Sequence, residues 1–361
     1  MARFHNLLIT EVRREIEDAV SILFDVPTDI KDVFNFVQGQ YITLKITIDG
    51  DEVRRSYSIC SSPSDGELRV AVKKVFNGKF STYANEVLKA GDHMEVMPPL
   101  GNFYTPLDAS HEKDYVAFAS GSGITPIISI IKTIMEKEPK SRFTLFYGNK
   151  FNATIIFSEE LEGLKNTYLD RFSIYHVLSR EVGVNEQFRG RLSGEKCRFY
   201  HERLIDFIKV DEVFLCGPEE MIFDVKDTLA DIGVEKEKIH FELFTTAQDV
   251  KPKVAQEVSE EDKVASGDGS QVEVIIDGVS YEFNLSEYGD SVLDAAVEVG
   301  ADVPFACKGG VCCACKCKVM EGSVTMDVNF ALEQDELDEG FVLACQSHPT
   351  SDKLIIDFDE L

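Results

Sequence analysis

The chain has 361 residues, 44% of them hydrophobic, which is enough for two or three compact domains with their own cores. Its formal net charge of −27 argues against nucleic acid and acidic membrane surfaces as partners. The first 15 residues carry charges throughout, and glycines, a proline and a lysine interrupt the most apolar region, 115–135, so we expect neither a signal peptide nor a membrane span. Nine cysteines without an export signal indicate a reducing cytoplasm.

The first hundred residues contain short segments with alternating or β-branched residues, separated by turn residues. These segments predict strands at 7–12, 19–26, 41–48, 53–59, 68–75 and 93–97. Several short strands at this spacing indicate an antiparallel β-barrel.

The predicted barrel contains the run Arg55-Ser56-Tyr57-Ser58. On a strand, Arg55 and Tyr57 share one face, where a cation and a flat ring can contact a phosphate and an isoalloxazine. Ser58 would offer a hydroxyl near the reactive edge of that ring. Taken alone, the pattern also fits a solvated arginine.

A second barrel segment, Gly78-Lys79-Phe80-Ser81-Thr82, precedes a predicted helix at 83–88. A glycine turn that leads into a serine or threonine at a helix start predicts a phosphate site. A plain N-cap would produce the same pattern.

From residue 115 onward, strands alternate with helices. We predict strands at 115–119, 143–147, 172–178 and 213–216, and helices at 125–136, 158–165, 201–208 and 219–232. This order predicts a parallel sheet covered by helices, with ligands outside the carboxyl ends of its strands.

The run GSGITP, residues 121–126, follows the first of these strands. Gly121 and Gly123 allow the backbone to approach a pyrophosphate, Thr125 can cap a helix, and proline suits a first helical turn. The run is not GxGxxG, which disfavours the dehydrogenase type of Rossmann domain.

Two further strand ends carry candidate binding residues. After the third strand, Ser179-Arg180 predicts a clamp on a 2′-phosphate, whereas an NAD site would place an acidic residue there. Glu181 is adjacent, and a plain surface pair fits equally well. After the fourth strand, Cys216-Gly217 begins a tight turn into a helix, although a buried cysteine also serves as core filler.

The strongest motif is CKGGVCCACKCKV, residues 307–319, with a further cysteine downstream. Four residues separate Cys307 from Cys312, two separate Cys312 from Cys315, and 29 separate Cys315 from Cys345. This is the plant-type ferredoxin spacing, in which four thiolates hold a [2Fe-2S] cluster. The glycines of the loop let backbone N–H groups approach the sulfides.

Zinc and disulfides are the alternatives for these cysteines. A zinc site usually needs two C-x2-C pairs and only one is present, while an odd cysteine count without a signal disfavours a disulfide framework. Cys313 and Cys317 are predicted to be bystanders that could substitute in a misassembled site.

The segment around the cluster motif predicts a small mixed sheet packed on one helix. Strands are expected at 272–276, 281–285 and 354–358, with an Asp277-Gly278 turn and a helix at 291–299. From residue 271 to the end, 19 acidic and four basic residues give a balance of −15. That charge fits a solvated surface or the steering of a redox partner.

The motifs in this order resemble the ferredoxin-NADP reductase superfamily, and the fused C-terminal ferredoxin indicates an oxygenase reductase. VRRSYSIC, SGSGITP, FYGNK, CGPEEM and DVNFALEQDELDEGFVLACQ resemble the reductase components of phenylacetyl-CoA epoxidase complexes. This resemblance implies an FAD-binding barrel (1–108), an NAD(P)-binding α/β domain (109–245) and a β-grasp ferredoxin domain (271–361). The segment between the last two, 246–270, is rich in Ala, Val, Lys, Glu, Ser and Gly and lacks periodicity, which predicts a linker. The resemblance also implies electron transfer from NADPH through FAD and the cluster to di-iron oxygenase subunits.

The resemblance also assigns individual residues. It implies flavin contacts at Arg55, Tyr57, Ser58, Val72, Lys73 and 78–81, and nicotinamide-cofactor contacts at Gly121, Gly123 and Thr125. It places Cys216 beside the hydride path and Phe244 next to the flavin.

Other functions stay open at this point. The client could be another oxygenase or a hybrid-cluster protein, and some related reductases use FMN and NADH. A non-catalytic iron–sulfur carrier and a simple flavin reductase are alternatives of another class.

Overall fold

The structure is a computed structural model that describes residues 4–244 and 269–360. The described residues form two compact units, one of His5–Val53 with Tyr57–Phe244 and one built around 269–360. The predicted linker at 246–270 lies outside the described residues except for its last two positions. The ranges of the four predicted segments stay predictions.

The N-terminal sheet has six antiparallel strands in the order β4-β3-β6-β1-β2-β5. An isolated antiparallel bridge between Ile59 and Val70 links its two edge strands and closes the barrel. Leu7 and Ile9 alternate along the first strand and are fully buried, as a barrel interior requires. The strands are β1 (His5–Ile16), β2 (Ala19–Asp25), β3 (Tyr41–Ile48), β4 (Asp51–Ser58), β5 (Leu68–Lys73) and β6 (His93–Val96).

The helix of this domain, α1 (Lys79–Glu86), begins four residues before the predicted start at residue 83. Phe80 and Ala84 lie one turn apart and are both buried against the barrel core. The helix therefore extends back to the residue after Gly78, because its buried face begins at Phe80.

The next sheet has five parallel strands in the order β11-β10-β7-β8-β9. These strands are β7 (Asp114–Ser120), β8 (Arg142–Asn149), β9 (Phe172–Leu178), β10 (Glu212–Gly217) and β11 (Ile239–Leu243). The helices are α2 (Ile124–Lys137), α3 (Ser158–Thr167), α4 (Gly194–Arg203) and α5 (Glu219–Ile232). Throughout 4–244 and 269–360, no helix is long and apolar enough to cross a membrane.

The helix predicted at 201–208 is wrong in position, because α4 begins at Gly194 and ends at Arg203. Its N-cap is Ser193, whose hydroxyl oxygen accepts a hydrogen bond from the Lys196 N–H at 3.4 Å. The cap signal is visible in the sequence, and it places the start of the helix seven residues before the predicted one.

The C-terminal domain has a mixed five-stranded sheet in the order β13-β12-β18-β14-β16, in which β12 and β18 are parallel. Its strands are β12 (Ser270–Ile276), β13 (Val279–Leu285), β14 (Lys316–Glu321), β16 (Phe341–Leu343) and β18 (Lys353–Asp357), and β15 (Val324–Met326) pairs with β17 (Ser347–Pro349). The helices are α6 (Val292–Glu298) and α7 (Gln334–Asp338). Val292, Leu293 and Ala296 of α6 pack into the core of the sheet.

The predicted turn between β12 and β13 is confirmed. Asp277 has φ +53° and Gly278 has φ +70°, and a two-residue hairpin turn of type I′ needs both angles positive. The fold class expected from the sequence, a barrel, a parallel α/β sheet and a small mixed sheet on one helix, is confirmed.

Candidate functional site

The four predicted ligands of the C-terminal domain form two pairs of free thiols. The Sγ atoms of Cys312 and Cys307 lie 3.0 Å apart, and the Cys315 thiol hydrogen-bonds with Cys345. Within the described part of the chain, no group of three or more His, Cys, Asp or Glu side chains is arranged to hold a single metal ion. Two thiol pairs suit a two-iron cluster, in which each iron takes two protein ligands.

The backbone of the loop also suits a negatively charged cluster. The Gly309 N–H donates to Cys307 Sγ at 3.3 Å. The Cys312 thiol and then the N–H groups of Gly309, Val311 and Cys312 lower the pKa of Cys307 to about 6. Thiolates are the cluster ligands, so this environment fits the predicted cofactor.

The two predicted bystander cysteines have other hydrogen-bond partners. Cys313 Sγ lies 3.3 Å from the Ala331 carbonyl oxygen, and Cys317 Sγ lies 3.8 Å from that of Val342. Burial raises the pKa of both thiols, that of Cys313 to about 12. Both side chains are held as neutral thiols, although the ligand set itself stays a prediction.

The predicted flavin contacts lie on β4 and β5 of the barrel. Arg55 is exposed on β4, Tyr57 is half-buried, and Ser58 is buried. On β5, Val72 is buried and Lys73 is half-buried. The exposed cation and the accessible ring on one strand leave room for a ligand with a phosphate and an aromatic system.

The Gly78 to Ser81 segment forms a tight turn at the start of α1. A Cβ on Gly78 would lie 2.3 Å from Ser81 Oγ and 2.4 Å from Val75 Cγ2, so any larger residue would force one of these side chains to shift. Ser81 Oγ accepts from the Val75 N–H at 3.2 Å, and Lys79 Nζ lies 2.6 Å from Asp51 Oδ2. No side chain caps α1, so its first N–H groups stay open to a phosphate.

Tyr57 also meets this turn, because its ring centroid lies 5.3 Å from that of Phe80. The fold therefore joins the two predicted flavin segments, which are more than twenty residues apart in the sequence.

The GSGITP run forms the turn between β7 and α2. Gly121 has φ +57°, and a Cβ on Gly123 would lie 2.1 Å from the Cys216 carbonyl oxygen and 2.8 Å from the Gly217 nitrogen. Thr125 does not cap the helix as expected: Gly123 is the N-cap, and the buried Thr125 hydroxyl donates to the Ser122 carbonyl at 3.0 Å. The structure thus brings the two strand ends at 121–123 and 216–217 into contact.

A residue that the sequence analysis missed, Glu242 on β11, lies beside two predicted ones. Its Oε2 accepts a hydrogen bond from Ser58 Oγ at 3.0 Å, and it is the strand partner of Cys216. Loss of hydration raises the pKa of Glu242 to about 8, against the opposing effect of the Ser58 hydroxyl. Burial keeps Cys216 a neutral thiol, and Phe244, two residues beyond Glu242, is 45% exposed.

The Ser179-Arg180 pair follows β9 at the same edge of the sheet. The Ser179 N–H donates to Asn149 and the Arg180 N–H donates to Lys150, each at 2.9 Å. A parallel bridge joins Leu178 to Arg189, a second exposed arginine missed in the sequence. No short-range pattern marks Glu242, because pairing with β10 places it. Arg189 is placed by its bridge to the end of β9, which no motif in the sequence indicates.

Three family models match the chain. A 2Fe-2S iron-sulfur cluster binding domain matches 274–350, an oxidoreductase NAD-binding domain matches 118–227, and an oxidoreductase FAD-binding domain matches 7–104. A solved phthalate dioxygenase reductase has the same fold, with a TM-score of 0.57 and 22% identity over 98% of both chains.

The chain is 42% identical to a subunit of the 1,2-phenylacetyl-CoA epoxidase of Escherichia coli (strain K12), over 99% of both chains. It is 32% identical to the ferredoxin reductase component of a 3-ketosteroid-9-alpha-monooxygenase of Rhodococcus rhodochrous, over 98% of this chain and 96% of the relative. It is 31% identical to a glycine betaine monooxygenase reductase subunit of Pseudomonas aeruginosa (strain UCBPP-PA14), over 98% and 95%. The chain therefore belongs to the family of oxygenase reductase components, NAD(P)H-dependent oxidoreductases that carry electrons through FAD to a [2Fe-2S] cluster.

Proposed function

We propose that this chain is the reductase of a phenylacetyl-CoA epoxidase and that it delivers electrons from NADPH to di-iron oxygenase subunits. The observation that carries the proposal is the 42% identity over 99% of both chains to a subunit of such an enzyme. The Rhodococcus rhodochrous and Pseudomonas aeruginosa relatives share about a third of their residues with this chain and are named for other oxygenases.

FAD, when bound, would supply a link between a hydride donor, which gives two electrons at once, and a cluster that accepts one at a time. The residues of the chain supply binding and orientation. Tyr57 and the Val72-Lys73 pair lie on two strands of one barrel, and Arg55 and the α1 turn present a cation and open N–H groups. We assign the flavin ring to the two strands and the flavin phosphates to the cation and the turn.

We assign the hydride-transfer site to Ser58, Cys216 and Phe244, and we add Glu242. Glu242 holds a proton at neutral pH, because its pKa lies near 8, and Ser58 fixes the orientation of the carboxyl. Cys216 is a small, buried thiol that stays neutral at a strand end, so a nicotinamide ring bound over that end would not meet a charge there. Phe244 is an accessible aromatic ring that can cover the flavin.

We assign the pyrophosphate to the turn at Gly121, Gly123 and Thr125, and the 2′-phosphate of NADPH to Ser179 and Arg180. The backbone hydrogen bonds at 149–150 and 178–190 gather Lys150, Arg180 and Arg189 on one edge of the sheet. Three exposed cations there favour a phosphate over a free ribose hydroxyl.

We assign the cluster to Cys307, Cys312, Cys315 and Cys345. The acidic balance of 271–361 supports a weakly bound client with a basic surface, which opposite charge would steer to the cluster domain. The expected cytoplasmic setting stays a prediction.

The test is reconstitution with candidate clients. The purified chain is mixed with the oxygenase subunits of a phenylacetyl-CoA epoxidase, phenylacetyl-CoA and NADPH, and product formation is compared with NADPH consumption. We expect tightly coupled turnover that high salt slows. If NADPH oxidation is uncoupled with this oxygenase but coupled to turnover with a 3-ketosteroid monooxygenase, the proposal is wrong, and the 3-ketosteroid monooxygenase is the electron acceptor.

A further inference from the structure

Gln346 follows Cys345 directly and is 7% exposed. Its side-chain nitrogen lies 3.1 Å from the Lys308 carbonyl oxygen, 2.9 Å from the Cys345 carbonyl oxygen and 3.6 Å from Cys345 Sγ. One NH2 group thus contacts both the loop that carries the first predicted ligand and the sulfur of the fourth.

The loop residue that this amide contacts has an unusual backbone. Lys308 has φ +51°, a left-handed conformation that costs energy for a residue with a side chain. Two hydrogen bonds help to hold it there: Lys308 Nζ lies 2.5 Å from Asp294 Oδ1, and its carbonyl accepts from Gln346. The next residue is Gly309, whose N–H donates to Cys307 Sγ. Gln346 therefore supports a turn that directs an N–H group at a predicted ligand.

The aliphatic part of Gln346 packs on the same loop. A Cβ on Gly310 would lie 3.2 Å from Gln346 Cγ and 2.8 Å from the Val328 carbonyl oxygen, so there is no space between them. The Gln346 carbonyl accepts from the Asp327 N–H at 2.9 Å, which fixes the backbone from the other side. Because both ends of the residue are held, the position of the amide is set by packing as well as by hydrogen bonds.

We infer that Gln346 is a positioning residue that holds the loop around Lys308 and raises the reduction potential of the [2Fe-2S] cluster. N–H donors to ligand sulfurs stabilise the reduced cluster, which carries one more negative charge. This inference rests on the proposed assignment of the four cysteines as ligands.

The test is a redox titration of the intact, cluster-loaded protein, followed by the electron paramagnetic resonance signal of the reduced cluster. Gln346→Met keeps an unbranched side chain of similar length against Gly310 but removes the donor. At a fixed ambient potential we expect a ratio of reduced to oxidised cluster about two- to tenfold lower than in the wild type, where tenfold corresponds to 59 mV for one electron. Iron content is expected to match the wild type.

Gln346→Glu is the second variant, because it keeps the shape, lacks the NH2 group and adds negative charge. The reduction potential of the cluster in this variant should fall at least as far as in Gln346→Met. Gln334→Met is the matched control, since Gln334 is an exposed residue of the same domain whose side chain contacts only Asp338 among the hydrogen bonds found in the described residues. Its potential should equal that of the wild type.

Unchanged potentials in both Gln346 variants would overturn the inference. So would failure of both variants to assemble a cluster, because the inference assigns Gln346 to adjusting a site that four thiols can assemble. Wild-type protein without iron would instead contradict the proposed function, which keeps the two failures apart.

Discussion

The hydroxyl of Ser58, at the end of the barrel strand β4, lies 3.0 Å from a carboxyl oxygen of Glu242, on the last strand of the parallel sheet. The two residues are 184 positions apart in the chain. This contact joins a predicted flavin residue to a titratable carboxyl group at the sheet edge to which we assign the nicotinamide. Because Glu242 links the two proposed sites, it is the first residue to test.

The first prediction concerns the pH dependence of stability. The folded protein holds a proton on Glu242 up to about pH 8, whereas an unfolded glutamate releases it near its ordinary pKa. Between those values the folded state binds more protons, so this group makes stability fall as pH rises. Glu242→Gln should remove this pH dependence. We expect the free energy of unfolding of the wild type to fall by about 1–2 kcal/mol more than that of the variant, after allowance for solvent screening of the half-buried side chain.

Thermal unfolding of the FAD-loaded protein at about pH 6 and about pH 9 measures this difference. The midpoint of the wild type should drop more than that of the variant. Glu237→Gln, at an exposed glutamate, is the control and should follow the wild type. Parallel curves for all three proteins would show that Glu242 has an ordinary pKa.

The second prediction concerns Tyr147 on β8, whose hydroxyl donates to the Gly121 carbonyl at 2.9 Å. Tyr147→Phe should loosen the left-handed turn at Gly121 and raise the KM for NADPH several-fold while changing kcat less. Tyr115→Phe is the control, because the Tyr115 hydroxyl donates to Glu138 near the amino end of β7, away from the turn. Tyr115→Phe should lower stability but leave the KM for NADPH unchanged. Equal changes of that KM in both variants would refute a specific role for the Tyr147 hydroxyl at the turn.

All six strands of the barrel and four of the five strands of the parallel sheet could be predicted from the sequence, whereas β11 was not. The segments 41–48 and 172–178 coincide with β3 and β9, because buried β-branched and aromatic residues alternate or cluster there and turn residues end the run. In the C-terminal domain, β14 to β17 were not predicted. Three of them have only three residues each, and a strand of that length is too short to display the alternation of apolar and polar residues that predicts a strand.

Candidate site residues could be named from the sequence only where a motif or a characteristic spacing marks them. The cysteine spacing and the glycine turns are of that kind. Glu242 acquires its place through pairing with β10, and Gln346 through packing on a loop more than thirty residues upstream. Tertiary contacts of this range leave no local signal.

The third prediction concerns the close approach of Gly123 to the end of β10. Gly123→Ala would place a methyl group 2.1 Å from the Cys216 carbonyl oxygen, so the turn or the strand end must shift. We expect a loss of stability of about 1–3 kcal/mol and a higher KM for NADPH. Gly163→Ala is the control: its Cβ meets nothing within 4 Å on α3, and it should gain about 0.5–1 kcal/mol. A well-folded Gly123→Ala protein with normal KM would contradict the packing.

The fourth prediction concerns the choice of cofactor. Arg180→Ala should raise the KM for NADPH about tenfold and leave the KM for NADH unchanged, because only NADPH carries the 2′-phosphate. Arg198→Ala removes an exposed arginine of α4 that pairs with Asp231, and it should change neither value. Equal effects of Arg180→Ala on both cofactors would exclude a 2′-phosphate contact.

The central claim is that the two electrons of a hydride from NADPH pass, one at a time, to a cluster held by Cys307, Cys312, Cys315 and Cys345. Its most direct test is an anaerobic NADPH titration of the FAD- and iron-loaded protein, with flavin absorbance and the paramagnetic signal of the reduced cluster followed together. We predict that in the wild type the flavin absorbance falls and the paramagnetic signal of the cluster appears. In Cys312→Ser the flavin absorbance should fall without that signal. Stoichiometric zinc in place of iron, or iron that stays oxidised while the flavin is reduced, would contradict the account.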